Sequence, residues 1–326
     1  MRAFLRQPLE RLTSLELCAG GGGQALGLEA AGFQHVGLVE IDRHACATLS
    51  RNRPHWNVLN QDLNAFDASR YRGIDLLAGG LPCPPFSRAG KQLGEKDNRN
   101  LWPAALRCVG VARPKAVMFE NVRGILDGSF DEFRSKVSSA RELRGYFTEW
   151  RLLQASDFGV SQARQRAVFI AIQNALAERW RWPEPLSAAA LTVGEALYDL
   201  MAAGGWKGVK SWKRQANGIA PTIVGGSHRH GGPDLGPTRA RKEWASLGVN
   251  GLLIAETAPD PHYRGMPNLT VRMVARLQGF PDDWEFEGGK TASYRQVGNA
   301  FPPPVAAAVA RRIRDCLTRE ERRGCP

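Results

Sequence analysis

The feature that most constrains the fold is a run of four glycines that follows an apolar strand. Leu12–Leu17 is predicted to be a buried strand, residues 20–23 a tight turn, and residues 24–31 a helix that ends at Gly32. Glycines let a ligand lie directly against the backbone of such a turn. This order predicts a nucleotide-type unit of an α/β fold, which by itself fits NAD, FAD or S-adenosylmethionine and on its own favours a dinucleotide.

Acidic residues end the next two predicted strands. The strand at residues 36–39 leads to Glu40, roughly 20 residues beyond the glycine turn, where a carboxylate can accept both hydroxyls of a ribose. A solvated charge at a helix N-terminus is the alternative interpretation of Glu40. A third candidate strand leads to Asp62.

Two further strand ends carry reactive side chains. The apolar run 74–78 leads into a glycine-rich turn with Cys83 between prolines, which stiffen the backbone around a thiol nucleophile. The run 116–119 ends in Glu120, and strand ends carry active sites in open α/β sheets. Alone, Cys83 fits a small buried hydrophobe and Glu120 a solvated charge. Together they supply a nucleophile and an acid.

The pair of Cys83 and Glu120 resembles the DNA (cytosine-5) methyltransferase family, and further blocks of that family occur in its order along most of the chain. The blocks are residues 17–23, 39–42, 82–83, 120–122, 162–166, 276–281 and 296–300. Any one could arise by chance, whereas the ordered set is specific. The resemblance implies an α/β protein with a Rossmann-like, S-adenosylmethionine-dependent methyltransferase domain and a smaller, loop-rich target recognition domain.

The resemblance implies covalent catalysis. Attack of the Cys83 thiolate on C6 of cytosine gives C5 enamine character, so that C5 can take the methyl group of the sulfonium. Protonated Glu120 would bond to N3 and Arg166 to O2, with Arg164 in support. Alternate residues of a strand share a face, so Arg164 and Arg166 are expected to point into one site. The target base must flip out of the duplex, at a cost of roughly a few kcal/mol.

The same resemblance assigns the cofactor contacts. Glu40 would bind the ribose and Asp62 the adenine amino group, with Asn299 beside the glycine turn. The family commonly has Phe where this chain has Cys18, so affinity is expected to rest more on apolar neighbours of the adenine. No metal is expected. The predicted cofactor residues are Cys18, Ala19, Gly20, Gly22, Glu40, Ile41, Asp62, Leu63, Pro82, Leu101 and Asn299.

Two segments are predicted to meet double-stranded DNA. Residues 88–99 are polar, contain glycines and show no helical or strand period, which predicts a mobile loop that closes over the flipped base. Residues 206–242 contain eight Lys or Arg and only one acid, and Trp206 and Trp212 lie among them. Such a segment suits phosphate and base-edge contacts. Dense glycines there predict loops rather than a packed recognition helix. The predicted DNA-binding residues are Ser87, Lys91, Arg99, Thr222, Arg229 and Arg239.

The periodic pattern changes near residue 175, and residues 180–185 predict a linker. We therefore expect a large catalytic and cofactor-binding domain made of residues 1–175 and 285–326. Residues 176–284 are expected to form a small target recognition domain. A helix from residue 302 would return the chain to the large domain.

Composition agrees with a nucleic-acid partner. Of 326 residues, 44 are Lys or Arg and 32 are Asp or Glu, so the net charge is 44 − 32 = +12. No signal peptide or membrane-spanning run is evident. The six cysteines are scattered, which predicts reduced thiols without a disulfide framework or zinc. We expect a monomer in the bacterial cytoplasm.

Three other functions compete with this interpretation. A tRNA cytosine-5 methyltransferase would share the same blocks, although the long basic segment favours DNA. A non-catalytic DNA-binding regulator would share the fold, but Cys83, Glu120, Arg164 and Arg166 are all present. A nicotinamide-dependent reductase explains only the glycine turn and Glu40. The resemblance further implies a short, palindromic target, and leaves open a cognate restriction endonuclease that acts independently.

Overall fold

The fold is built on one seven-stranded sheet. The computed structural model describes residues 11–82, 100–226 and 232–318. The sheet order is β3-β2-β1-β4-β5-β7-β6, and all pairs are parallel except those of β7 with β5 and β6. The strands are β1 Leu12–Leu17, β2 Phe33–Glu40, β3 Val58–Asn60, β4 Leu76–Gly80, β5 Ala116–Val122, β6 Tyr146–Gln154 and β7 Gln165–Gln173.

Helices cover both faces of the sheet, and residues 193–284, which we call the C-terminal lobe, share an apolar cluster with the first two helices of the chain. Strands β1, β4, β5 and β7 are buried along most of their length, as expected for strands covered on both faces, whereas the edge strands β3 and β6 are mostly half-buried or exposed. The helices are α1 Gly23–Ala30, α2 Arg43–Asn52, α3 Trp102–Ala112, α4 Asp131–Ser138, α5 Asn174–Ala177, α6 Val193–Ala202, α7 Val209–Gln215, α8 Thr238–Ser246, α9 Val271–Leu277, α10 Lys290–Asn299 and α11 Pro303–Thr318.

Alternate residues of the strands point to two different cores. Leu15, Leu17 and Phe119 pack with side chains of α3 and α4 on one face. Ala78 and Met118 belong to the cluster that contains α11 on the other face. A third cluster joins α1 and α2 to α6, α7 and α9 and includes both Trp56 and Trp284. Apolar packing is therefore continuous across residue 284, where the sequence predicts a domain boundary.

The glycine turn has the conformation that its sequence predicts. Gly20 and Gly22 have φ of 55° and 90°, in the left-handed region where a side chain is disfavoured. The helix that follows ends next to Gly32, which also has a positive φ of 90°. At Gly23 a Cβ would lie 2.3 Å from the Phe301 carbonyl oxygen. The turn therefore needs glycine for its own backbone angles and for the approach of the C-terminal helices.

Two predictions about the C-terminal lobe are wrong. Loops were expected throughout the basic segment, but α7 and α8 lie within it. Trp206 and Trp212, expected among nucleic-acid contacts, are buried in the lobe's core. Their indole N–H groups donate to the carbonyls of Tyr263 and Gly248, at 3.0 and 3.1 Å. The two helices contain no glycine, because the glycines of the segment lie outside them, and the tryptophans pack in the core of the lobe.

Residues 180–185, where a linker was predicted, are irregular but anchored. Trp180 and Trp182 are 4% and 6% exposed and pack edge to face against each other, with centroids 5.2 Å apart. Both belong to the core beneath α11. Arg312 of α11 donates to the Arg181 carbonyl at 3.1 Å. The start of this segment is thus part of the large core rather than a free tether.

Within the described ranges, no helix has the length and apolar character needed to cross a bilayer, and no cluster of three His, Cys, Asp or Glu side chains could hold a metal ion. The four cysteines that fall in those ranges, Cys18, Cys46, Cys108 and Cys316, are not joined by disulfides.

Gly27→Ala should destabilise the fold. A Cβ at Gly27 would lie 2.5 Å from Ala306 Cβ and 2.7 Å from the Pro303 carbonyl oxygen, so α1 and α11 would have to separate. Overpacking costs about 1–3 kcal/mol, which we expect to exceed the roughly 1 kcal/mol that alanine gains in helix propensity. Urea unfolding measures the difference. Gly128→Ala is the control, because its nearest neighbour would be 4.0 Å away; equal midpoints for both variants would show that the helix contact is not tight.

Candidate active site

Glu120 lies at the end of the sheet where the carboxyl ends of β4 and β5 meet the start of β7. In the register of β4 with β5, Gly80 pairs with Glu120, and a Cβ at Gly80 would lie 3.6 Å from Glu120 Oε2. In the antiparallel pair of β5 with β7, Val122 faces Arg166. The start of β7 therefore meets the carboxyl ends of β4 and β5, next to Pro82.

Glu120 and Arg166 form a buried ion pair. Arg166 Nε lies 2.7 Å from Glu120 Oε1, and the two side chains are 11% and 4% exposed. The two atoms make no aligned hydrogen bond, so each keeps bonding capacity toward a third group. Burial raises the pKa of the Glu120 carboxyl above its ordinary value of 4.5, although Arg166 and Arg164 oppose the shift. The arrangement offers a weakly acidic proton donor beside a fixed cation.

Arg164 has a different environment from Arg166. It is fully buried, and its guanidinium donates to the backbone carbonyls of Ile223 at 2.6 Å, Gly298 at 2.7 Å and Ala300 at 3.1 Å. Both arginines were expected to point into one site. In the described contacts Arg166 pairs with Glu120, whereas the Arg164 guanidinium bonds to backbone carbonyls. Arg164 precedes β7 and joins it to two distant parts of the chain.

Asn121 was not predicted as a functional residue, but its side chain reaches the residues that directly precede Cys83. Its side chain is fully buried, and Nδ2 donates to the Leu81 carbonyl at 3.2 Å. Leu81 and Pro82 are the last described residues before Cys83, which itself lies outside the described residues. The sequence signal that could have found Asn121 was its place in the block of residues 120–122.

The predicted cofactor region is organised by Glu40. Its two carboxylate oxygens accept the backbone N–H groups of Gly20 and Asp42, each at 2.7 Å. Burial raises the pKa of Glu40, and these hydrogen bonds oppose the shift. A carboxylate oxygen can accept more than one donor, so the contacts leave capacity for ribose hydroxyls. Beside it the Ile41 side chain is 65% exposed, an unusual state for a large aliphatic group.

The other predicted adenosine contacts lie at the ends of neighbouring strands. Asp62 follows β3, is exposed and accepts the Asn64 N–H at 2.9 Å, while Leu63 is buried. Cys18 has a positive φ of 54° at the end of β1, and burial raises the pKa of its thiol. Leu101, half-buried, precedes α3. The glycine turn, the Glu40 carboxylate at the end of β2 and the exposed Ile41 side chain fit S-adenosylmethionine.

The C-terminal helices close the glycine turn. A Cβ at Gly21 would lie 3.0 Å from Gln296 Cβ of α10. Asn299 ends that helix, and its Nδ2 donates to the Gly226 carbonyl at 3.2 Å. The helix end is thus next to the turn, as predicted, while the described contact of the Asn299 amide is with the 222–226 segment.

Trp284 is a contact with the glycine turn that the sequence did not reveal. It is 1% exposed, and its Nε1 donates to the Gly21 carbonyl at 3.0 Å. A Cβ at Gly22 would lie 2.7 Å from its ring. No periodic pattern surrounds Trp284, so only the long-range contact identifies it as a support of the turn.

The predicted DNA contacts are only partly described. Ser87, Lys91, Arg99 and Arg229 lie outside the described residues, as do the predicted closing loop and its neighbours. Thr222 Oγ1 donates at 2.6 Å to the carbonyl of Ala163, the residue directly before Arg164. Arg239 lies on α8, 93% exposed, with Nε 3.3 Å from Glu243 Oε1.

Comparison with known proteins decides the family. The profile of the C-5 cytosine-specific DNA methylases matches residues 12–315. The chain belongs to this family. It is a DNA (cytosine-5) methyltransferase of the S-adenosylmethionine-dependent class.

Similar proteins agree with the family assignment. The type II methyltransferase M.NaeI of Lentzea aerocolonigenes is 52% identical over 96% of this chain and 77% of its own length. M.NgoMIV of Neisseria gonorrhoeae is 50% identical over 95% of this chain and 99% of its own length. These matches do not favour the tRNA alternative, and they do not favour a nicotinamide-dependent reductase.

Solved structures share the fold. A protein described as a DNA modification methyltransferase encoded within an E. coli prophage superposes with a TM-score of 0.65 at 24% identity, over 94% of this chain and 99% of that one. The Dnmt2 methyltransferase of S. pombe gives 0.64 at 16% identity, over 94% and 100%. The predicted fold class, an α/β methyltransferase, is confirmed.

Trp284→Phe should weaken cofactor binding. The variant keeps a ring against Gly22 but leaves the Gly21 carbonyl without its donor. Loss of such a bond costs about 0.5–1.5 kcal/mol, or roughly 2- to 13-fold in affinity. Calorimetry with S-adenosylhomocysteine measures it. Trp206→Phe is the matched control, since it removes an equivalent indole bond, 3.0 Å long, in the other lobe. Equal affinities in both variants would contradict a role of Trp284 in holding the turn.

Proposed function

We propose that Cys83, Glu120 and Arg166 carry out the methylation of cytosine C5 in duplex DNA. The observation that supports this most is the buried Glu120–Arg166 pair at the end of β5. Gly80, its register partner, is three residues before Cys83, and Asn121 holds the intervening Leu81 carbonyl. The proposal therefore gathers a thiol, an acid and a cation at one edge of the sheet.

The residues divide the reaction as follows. Cys83, as thiolate, forms a bond to C6 of the flipped cytosine, and the electron pair of the C5–C6 double bond moves toward N3. Glu120 donates its proton to N3, and Arg166 holds the O2 oxygen. Bound S-adenosylmethionine supplies the electrophilic methyl group. The ring then returns the N3 proton to Glu120, loses the C5 proton to a base and releases Cys83 as thiolate, which restores the aromatic ring.

The cofactor residues keep the roles that the resemblance gives them. Glu40 would accept the ribose hydroxyls, and Asp62 the adenine amino group. Ile41 and Leu63 would contact the adenine, where Cys18 replaces the usual aromatic side chain. A Cβ at Gly20 would meet no atom within 4 Å, which supports room for the methionine part at that residue, while Trp284 and the end of α10 hold the rest of the turn.

The substrate and its recognition are also part of the proposal. We infer that the C-terminal lobe reads a short, palindromic site, with Arg239 of α8 and Arg229 as base readers and Thr222 at the backbone of the flipped nucleotide. The exposed position of Arg239 and the charge of +12 support this assignment. The type II names of the relatives suggest a partner endonuclease. We also propose that the protein acts as a monomer in the bacterial cytoplasm.

Cys83→Ser should abolish methylation and spare DNA binding, because the hydroxyl is a far weaker nucleophile of the same shape. Bisulfite sequencing of a plasmid methylated by the enzyme maps the target site and measures the loss. The wild type should also form a covalent adduct with DNA that carries 5-fluorocytosine, since fluorine blocks the final elimination. Cys316→Ser is the control, because a serine hydroxyl can keep the 3.1 Å bond to the Leu176 carbonyl. Wild-type turnover in Cys83→Ser would remove this thiol from the mechanism.

Glu120→Gln should lower kcat by about 100- to 10,000-fold, because the amide cannot transfer a proton. In the wild type, kcat should fall with rising pH as Glu120 loses its proton, at a pH above the ordinary carboxyl range because burial raises its pKa. The variant should lose that fall. The exposed Glu132→Gln serves as control. If Glu120→Gln keeps the same decline at high pH, another group carries the titration.

A further inference from the structure

Arg164 holds together two segments that are distant in sequence. Its Nη1 donates to the Ile223 carbonyl at 2.6 Å, and its Nη2 to the carbonyls of Gly298 and Ala300, at 2.7 and 3.1 Å. The guanidinium is planar and its donors are fixed in direction, so it can specify the relative position of three carbonyls. Because the side chain is fully buried, these bonds are not exchanged for water.

The carbonyls that Arg164 binds flank two proposed ligand contacts. Gly298 and Ala300 stand on either side of Asn299, which is proposed to contact the cofactor. Ile223 follows Thr222, which is proposed to contact the DNA backbone. One arginine is therefore bonded to both neighbourhoods.

Other contacts make this junction tight. A Cβ at Gly298 would lie 2.4 Å from Gly225 N, so the end of α10 and the 222–226 segment meet backbone to backbone. The Asn299 amide donates to the Gly226 carbonyl at 3.2 Å. The Gln162 Oε1 atom accepts the Ile223 N–H at 2.9 Å, and Nε2 donates to Gln278 Oε1 at 2.5 Å. A displacement on one side of the junction must therefore move the other.

We propose that Arg164 is a positioning residue that couples cofactor binding to DNA binding. This inference rests on the proposed function, because it uses the proposed contacts of Asn299 and Thr222. A ligand that orders the end of α10 also orders the 222–226 segment through Arg164, so the second ligand binds to a site that is already formed. The coupling is reciprocal, and each ligand strengthens the binding of the other by the same factor.

The test measures that factor without turnover. The dissociation constant of a duplex with the methylation site mapped by bisulfite sequencing is determined with and without saturating S-adenosylhomocysteine, and the converse titration checks reciprocity. For the wild type we expect tightening by about 5- to 150-fold, the usual range of binding coupling. For Arg164→Lys, which keeps the charge but not the planar fork, we expect a factor close to one.

Two further variants separate coupling from general damage. Gly225→Ala leaves Arg164 intact but places a Cβ 2.6 Å from the Arg295 carbonyl, so it should also reduce the factor. Arg276→Lys is the matched control. Arg276 donates to the Ala196 carbonyl at 3.0 Å and pairs with Asp199 and Asp282, all within the C-terminal lobe, so the factor should stay at the wild-type value. Circular dichroism confirms that each variant is folded.

Each outcome decides the question. A factor near one in the wild type, wild-type coupling in Arg164→Lys, or equal loss in Arg276→Lys would overturn the inference. In steady-state assays, loss of coupling should raise the KM for S-adenosylmethionine more than it lowers kcat, whereas a change confined to kcat would speak against it. If Cys83→Ser remained active, the proposed function would fail; if it were inactive and the wild type showed no coupling, only the role of Arg164 would fail.

Discussion

The structure depends on the close return of the C-terminal helices onto the first glycine turn. Gly23 and Gly27 have no Cβ, and a methyl group at either would lie within 2.7 Å of backbone atoms of the residues that lead into or begin α11. This approach makes α1 and α11 one layer and brings α10 to the edge of the sheet where the cofactor is proposed to bind. The N-terminal part of the fold is thus completed by residues far along the chain, as in the hydrogen bond of 2.7 Å between Thr48 and Gln296, which are 248 positions apart.

The buried charges of Glu120 and Arg166 carry a desolvation cost that apolar packing must offset. Moving Glu120 and Arg166 out of water costs several kcal/mol per ion in real proteins, and a buried ion pair repays this only with good geometry. Their contact lacks an aligned hydrogen bond. A buried pair of this kind is weak evidence for stabilisation, because the cost of desolvation can exceed the attraction between the two charges. Strands β4, β5 and β7 bear the cost, since their apolar residues are almost fully buried.

The sequence predicted the sheet far better than the C-terminal lobe. Strands such as β1 and β5 are recognisable as short apolar runs that end near glycine or an acidic residue. Because these strands are parallel, their carboxyl ends are expected at the same end of the sheet. Helices α7 and α8 were missed because glycine-rich flanks and basic residues dominate the local pattern, while Trp212 and Trp244 are buried by partners far along the chain. The pairing of Arg166 with Glu120 was foreseeable from a shared edge. The bonds of Arg164 and Trp284 were not, because they join residues more than fifty positions apart and leave no local period.

The antiparallel direction of β7 decides where the chain can be lengthened. Because this strand begins at the catalytic edge, it delivers the polypeptide to the opposite edge, and residues 174–192 must travel back outside the sheet before the second lobe begins. The first part of that path is fixed by Trp180 and Trp182, whereas residues 184–189 are exposed. Surface stretches of this kind tolerate inserted sequence. Sequence inserted at residues 184–189 should therefore lengthen the return path without disturbing the packing of the sheet or the contact of Glu120 with Arg166.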